Sequence, residues 1–290
     1  MGRFWHFPQL LPILSSMELE DKRALVTGGG RGIGRAIALA LARQGARVAL
    51  LSRTRSQLEE VAAEVEGLGR EARICVADMA RESQIRAAVG DVLEAWGGVD
   101  ILVNNAGVLG PVGPAHEVDV EAWEHTIQIN LVGCFACSRW VLPHMMAQRY
   151  GKIINLSGGG AVSPRPRFSA YSASKAGIVR FTETLSEEVA AYGIDVNAMA
   201  PGAINTAMLD QVLQAGAAAG EEVLAEARQQ LQSGGVDPER PAALAVFLAS
   251  PRSDGLSGRL ISAVWDSWEE MDIETIMASE VYTMRRLKPE

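Results

Sequence analysis

The chain has few cysteines, no sustained basic run and no long apolar run, and each shortage closes off a class of protein. Its three cysteines, Cys75, Cys134 and Cys137, are too few and odd in number for a disulfide framework; they fit a reducing compartment. Cys134-Phe-Ala-Cys137 has C-x-x-C spacing but lies inside an apolar helical stretch. No second Cys or His pair completes a zinc set, so these read as buried structural thiols and no metal is expected. Net charge is -8 with Lys and Arg dispersed, which leaves nucleic acid without the clustered cations that phosphate contacts require.

No segment is long and apolar enough to predict a membrane span. The first sixteen residues, MGRFWHFPQLLPILSS, place an apolar stretch after Arg3, but two prolines, His6 and Gln9 interrupt it. No clear small-residue cleavage site follows. The reading is a flexible N-terminal extension, or an upstream start, ahead of a well-patterned region from Met17, and a cytoplasmic protein with no membrane partner. There is no internal repeat, low-complexity tract or linker, so residues 17–268 are expected to form one domain, with 269–290 as a C-terminal extension.

Within that domain, apolar strands alternate with amphipathic helices. Arg23–Thr27 is a strand, followed at once by Gly28-Gly-Gly-Arg-Gly-Ile-Gly34 and a helix bearing Ile33, Ile37, Ala38 and Leu41 on one face. Glycines there permit a tight turn and close approach of a phosphate, and the helix N-terminus offers unpaired N–H groups to a pyrophosphate. Further strands are predicted at 48–52, 73–77, 100–104, 152–157, 195–200 and 258–265. Helices are predicted at 55–68, 81–96, 120–147, 169–191 and 241–249. Such alternation implies a parallel sheet, with ligands at the carboxyl ends of its strands, where the Gly28 turn, Asp78 and Asn104 fall. The second strand closes on Ser52-Arg53, where NAD-binding sheets of this kind place a carboxylate against the ribose 2′-hydroxyl. Arg31 and Arg53 together suit a 2′-phosphate, so NADP(H) is favoured and NAD(H) remains possible.

Tyr171-Ser-Ala-Ser-Lys175 lies at the start of the 169–191 helix, with Tyr171 and Lys175 four apart on one face. An ammonium near a phenol favours the phenolate and lowers the tyrosine pKa, which suits proton exchange near neutral pH. Alone, the pair is also what an ordinary exposed helix face carries.

The stretches TGGGRGIG (27–34), Asp78, NNAG (104–107), Asn130, YSASK (171–175) and PG (201–202), in that order, resemble the classical short-chain dehydrogenase/reductase family. The resemblance runs from Met17 to Trp265. It implies an α/β, single-domain, Rossmann-like, doubly wound parallel sheet of about seven strands flanked by helices. It also implies NAD(P)-dependent hydride transfer on a small-molecule carbonyl or alcohol, and a homo-oligomer, tetramer or dimer. By the same resemblance Tyr171 is the general acid/base, and Lys175 holds the nicotinamide ribose and lowers the tyrosine pKa. Asn130 anchors a water of the proton relay. The implied cofactor-binding set is Gly28, Arg31, Gly32, Ile33, Gly34, Ser52, Arg53, Asp78, Met79, Asn105, Ala106, Gly107, Tyr171, Lys175, Pro201, Gly202, Ile204 and Thr206.

Two departures stand out. The family's active-site serine falls at Gly158, one residue after Ser157. Either Ser157 serves as a shifted donor, or the hydroxyl is missing, or Ser163 reaches in, in that order of preference. The alternative to an enzyme is thus a cofactor-binding pseudoenzyme or sensor with weak catalysis. An epimerase- or dehydratase-type cycle on the same fold is a third reading. The chain also lacks the family's closing Asp-Gly-Gly turn and reads Ala263-Val-Trp-Asp-Ser-Trp268. Trp265, Asp266 and Trp268 there are expected at the substrate mouth or at a subunit contact. Residues 203–235 read as a lid, and Arg165 or Arg167 as a partner for a substrate carboxylate or phosphate.

Overall fold

A computed structural model describes residues 17–286; the N-terminal extension read over residues 1–16 and the last four residues of the C-terminal extension lie outside it. Seven parallel strands form the sheet, in the order β3-β2-β1-β4-β5-β6-β7. They are β1 (Arg23–Thr27), β2 (Arg47–Ser52), β3 (Ala72–Val76), β4 (Ile101–Asn104), β5 (Gly151–Leu156), β6 (Ile194–Ala200) and β7 (Leu260–Ser262). The central strands are continuous apolar runs, as a sheet covered on both faces demands, and β5 is buried along its whole length.

Helices α1 (Gly32–Arg43), α2 (Arg55–Gly67) and α9 (Glu239–Ala249) cover one face, where Ile37, Leu41 and Leu58 pack on the β1–β3 side and Leu244 and Leu248 of α9 over β5 and β6. The other face is covered by α3 (Glu82–Trp96), α5 (Gly133–Gln148) and α6 (Ser169–Val189), through Val89, Val92, Val141, Met145 and Leu185. The strand order reverses between β1 and β4, which opens a crevice at their carboxyl ends.

The long helix predicted over 120–147 is broken. It is α4 (Val120–Ile127), a five-residue π segment (Gln128–Val132) and then α5. The last strand is shorter than predicted, because the chain turns away after Ser262. The Asp266 carboxylate accepts the Ser262 N–H at 2.6 Å, and the Ser262 hydroxyl accepts the N–H of Trp265 at 3.1 Å.

That turn also relocates the tryptophans. Trp268 is 3% exposed, packed on Phe247 at 5.6 Å with Arg240 over its ring, so it belongs to the core and not to a substrate mouth. Trp265 is 87% exposed. The chain beyond folds back on the sheet edge through the short helix α10 (Ile273–Met277), and the Tyr282 carbonyl accepts the Leu260 N–H at 2.8 Å. Arg259 holds this tail by donating to the carbonyls of Ile276 and Ser279.

Candidate active site

A cleft of about 500 Å³ runs across the carboxyl ends of the strands. Its first wall is the glycine turn between β1 and α1. Gly28 and Gly32 have positive φ, and a β-carbon at Gly28 would lie 2.7 Å from the Asn105 amide nitrogen. A β-carbon at Gly34 would run into the Gly28 carbonyl, so α1 can start this close to β1 only with glycine there. No side chain caps the start of α1, which leaves its first N–H groups facing the cleft. Across the crevice, the Thr27 hydroxyl accepts the N–H groups of Asn105 and Ala106, both at 3.0 Å, and Asn105 Nδ2 donates to the Thr27 carbonyl at 2.8 Å. These bonds fasten the end of β4 to the end of β1.

Arg31, Ile33, Ser52, Arg53, Asp78, Met79, Asn105, Ala106 and Gly107 all line the cleft with the turn glycines. Arg31 and Arg53 are exposed and, among the described residues, their side chains make no hydrogen bond or ion pair. Of the other positions in the expected cofactor set, Pro201 and Thr206 line the cleft as well, whereas Gly202 and Ile204 are not among its lining residues. Gly202 packs against Val264 at positive φ, and Ile204 is buried. Several cleft residues belong to no motif and have no signal in the sequence: Gln57, Ile129, Asn205, Met208 and Gln211. Met208 and Gln211 belong to the lid, whose helical period alone does not say which face turns inward.

The reacting end is built by α6, β5 and the π segment. Lys175 is buried and donates to the Leu156 carbonyl at 2.8 Å. Burial lowers its pKa to about 8, with the Cys134 thiol acting in the opposite direction. Tyr171 is 9% exposed, and Lys175 Nζ lies 5.7 Å from its ring centre. Burial pushes the Tyr171 phenol up, and the cation that pulls it partly back is Arg165, not Lys175. This differs from the expected Lys175-lowered phenol: the ammonium is spent on the Leu156 carbonyl, and the desolvation of Tyr171 outweighs it.

Asn130 is wholly buried. Its Oδ1 accepts the Val108 N–H at 2.8 Å, and its Nδ2 donates to the Val108 carbonyl at 2.9 Å and to the Ser174 hydroxyl at 3.0 Å. It braces the β4 loop against α6 and is not among the residues lining the cleft.

A β-carbon at Gly158 would lie 2.5 Å from the Tyr171 hydroxyl, so the phenol occupies the space a side chain there would need. Ser157 does line the cleft. Its hydroxyl is buried and, among the described residues, has no hydrogen-bond partner. Ser163 is exposed and not among the cleft residues.

Residues 203–235 form α7 (Ala207–Ala215), a 3-10 turn (Gly216–Ala219) and α8 (Glu221–Ser233). Leu209, Val212 and Leu224 of this hairpin pack with Phe168 around Tyr171. Arg167, at φ 71°, is tied to the hairpin: its Nη1 donates to the Ala218 carbonyl at 3.2 Å. Arg165 is stacked 4.6 Å over the Phe168 ring.

The three cysteines are free and buried, and burial lifts Cys75 and Cys134 to about 12. No group of three or more metal-ligating side chains occurs, and no helix is long and apolar enough to cross a membrane, among the described residues.

The glycine cradle and the uncapped helix start fit the pyrophosphate of a dinucleotide, and the unpaired Ser157 hydroxyl fits a polar group beside its reactive ring. A doubly wound sheet with a glycine cradle at its switch point is the architecture of Rossmann-type dinucleotide-binding proteins. Comparison with known proteins narrows the class. A sequence model described as short chain dehydrogenase matches residues 22–216, and the chain belongs to that family. It is 34% identical over 246 residues to a 3-oxoacyl-(acyl-carrier-protein) reductase of Thermotoga maritima, covering 84% of this chain and 97% of that one. It is 37% identical over 191 residues to a 2-dehydro-3-deoxy-L-rhamnonate dehydrogenase (NAD+) of a Sphingomonas species, covering 66% and 75%. Among solved structures, NAD+-bound xylitol dehydrogenase superposes with a TM-score of 0.79 at 31% identity, covering 84% of this chain and 98% of that one.

Proposed function

We propose that the protein interconverts a carbonyl compound and its alcohol with NADPH as the preferred cofactor, Tyr171 exchanging the proton and Ser157 steadying the substrate oxygen. The observation that carries this reading is the unpartnered, buried Ser157 hydroxyl in the same cleft as Tyr171 and Lys175. A buried hydroxyl without a partner costs stability and is kept where a ligand supplies the partner.

When bound, the nicotinamide supplies or accepts the hydride. The chain's own part is the charge on the oxygen. In reduction, the Tyr171 phenol gives its proton to the oxygen as negative charge develops there, and in oxidation the phenolate takes it back. Ser157 Oγ donates a hydrogen bond to the same oxygen. Lys175 stands at the ribose side of the cleft and is charged over most of the neutral range. Asn130 keeps the β4 loop and α6 in register, which makes it a positioning residue. The lid hairpin excludes water from the reacting groups.

The preference for NADPH rests on Ser52 standing where a carboxylate would repel a 2′-phosphate, and on two arginines, Arg31 and Arg53, lining that end of the cleft. The names of two relatives specify NAD+, which makes this a point where the chain departs from them. Tyr171→Phe should abolish turnover while NADPH affinity stays within about threefold; undiminished turnover would refute the mechanism. The second reading, a cofactor-binding protein with weak catalysis, is motivated by Gly158. Tight NADPH binding with silence across a broad carbonyl and alcohol panel would favour it.

A further inference from the structure

The loop between β5 and α6 carries three successive glycines, Gly158, Gly159 and Gly160, and two groups lean on them. The Tyr171 hydroxyl lies 2.5 Å from where a β-carbon of Gly158 would be. Arg165 Nη1 lies 3.0 Å from the equivalent point of Gly159. With consecutive Cα atoms about 3.8 Å apart, phenol oxygen and guanidinium are within about 12 Å of each other. Arg165 is half-buried, and the Phe168 ring under it, itself wholly buried, fixes its plane. Among the described residues its guanidinium has neither an acidic partner nor a hydrogen bond, while its carbonyl accepts the Phe168 N–H at 3.3 Å. Arg167 is differently placed: its guanidinium is engaged by the Ala218 carbonyl, its stem packs on Gly220, and its own carbonyl accepts the Gly113 N–H.

We propose that the substrate is an oxo or hydroxy acid and that Arg165 holds its carboxylate, which makes Arg165 the specificity-determining residue of the site. The proposal rests on the carbonyl/alcohol reading above. An aromatic platform under an unpaired guanidinium presents two parallel N–H groups, the geometry a carboxylate takes bidentately. The bound of about 12 Å is wide enough for two hydrogen bonds of about 2.8 Å each and a spacer of one to a few carbons between carbonyl and carboxylate.

One cation also matches one negative charge. Lys175 and Arg167 already donate to the Leu156 and Ala218 carbonyls, which leaves Arg165 the least engaged cation of the three. Arg165 is not among the residues lining the dinucleotide cleft; it approaches the Tyr171 end of it across the Gly158-Gly159 turn.

The test compares acetoacetate and levulinate with their methyl esters, and with dihydroxyacetone phosphate as the dianionic arm, under saturating NADPH. The native protein should favour the acids over the esters at least about tenfold in kcat/KM. Arg165→Met should reduce that preference about 10–100-fold, mainly through KM, the effect of losing a charged hydrogen-bonding partner. Arg165→Lys should return part of it. Esters used as well as acids, a better rate with the phosphate, or an acid preference that survives Arg165→Met would each overturn the proposal.

A binding arm separates this from the hydride-transfer reading. Calorimetric titration of Tyr171→Phe with acetoacetate in the presence of NADPH should show binding that is lost when Arg165→Met is added. Acid binding without any turnover in the native protein would sink the hydride-transfer reading and leave this one standing. Absence of acid binding, or binding indifferent to Arg165→Met, would sink this one.

Discussion

Ser157→Ala is the sharpest perturbation, because it should move activity and stability in different directions. The hydroxyl is 3% exposed and has no hydrogen-bond partner among the described residues, so the free protein carries a desolvated polar group without compensation. Removing such a group lifts a penalty of about 1–3 kcal/mol, offset in part by the packing that a single oxygen atom provides. The backbone is held independently, since the Ser157 N–H donates to the Met199 carbonyl at 2.8 Å. The expected change is therefore between zero and about 1 kcal/mol of added stability, a Tm unchanged or raised by about 2–4 °C in a chain of this size. Turnover should fall about 100- to 1000-fold, the effect of one oxyanion donor. Thermal melts of the free protein and initial rates at the nicotinamide absorbance supply the two readouts. Activity within threefold of native would show that Ser157 is not the donor. Activity lost together with more than about 1 kcal/mol of stability would show that the hydroxyl is structural.

Other expectations follow from the same geometry. Arg31→Ala and Arg53→Ala should each lower the NADPH-over-NADH preference in kcat/KM about tenfold or more; an unchanged ratio would place the 2′-phosphate elsewhere. Lys175→Met should stabilise the free protein at pH 7 by an amount on the order of 2 kcal/mol while impairing turnover, since burial holds the ammonium at about 8 against about 10.4 unfolded. In the native protein that contribution rises between about pH 8 and 10.4, because the unfolded chain there binds the extra proton. Urea melts across that range should show the slope, and the variant should lack it. Arg23→Met should cost about 3 kcal/mol by stripping Asp100 of its two-pronged partner at 2.7 and 2.8 Å. Burial pushes the Asp100 carboxyl up and the Arg23 hydrogen bonds more than reverse this, so it titrates below the usual carboxylate range. The pair's stabilisation is thus present above about pH 4 and is lost as pH falls through the folded value, and the variant should be less acid-sensitive over that interval.

The order of strands and helices was legible because each central strand is an apolar run between turn residues, and each helix carries one apolar face. The glycine turn was legible for a related reason: Gly28 and Gly34 have no room for a β-carbon, and that demand shows in the sequence as glycine between a strand and a helix. What failed to show was whatever depends on which way a side chain is drawn by partners far along the chain. Trp268 reads as a surface aromatic beyond the last strand, yet Phe247 and Arg240 on α9 give it a place in the core. Arg165 and Arg167 look interchangeable two residues apart; the Ala218 carbonyl in the lid separates them. Gln211 and Met208 reach the cleft only because α7 lies down on Tyr171. The state of that phenol was not legible, because spacing counts a neighbour four residues away but not the desolvation imposed by Phe168, Leu209 and Leu224 around it.

The π segment at Gln128–Val132 explains why a mid-helix asparagine is tolerated. A π turn is wider than an α turn and is retained where it aims a group that an α turn would misdirect. Here it aims Asn130 across the helix at two neighbours at once. Val108, on the loop that lines the cleft, is bound through both its N–H and its carbonyl, and the Ser174 hydroxyl accepts from the same amide. Ser174 in turn donates to the Tyr171 carbonyl at 2.7 Å. The amide therefore joins the loop flanking the cofactor cleft to the turn of α6 that carries Tyr171 and Lys175, with no water needed to complete the link. This chain of bonds ties the loop to that turn of α6. The unfavourable helix break and the buried polar side chain are thus two halves of one device, and either half alone would leave unpaired groups in the core.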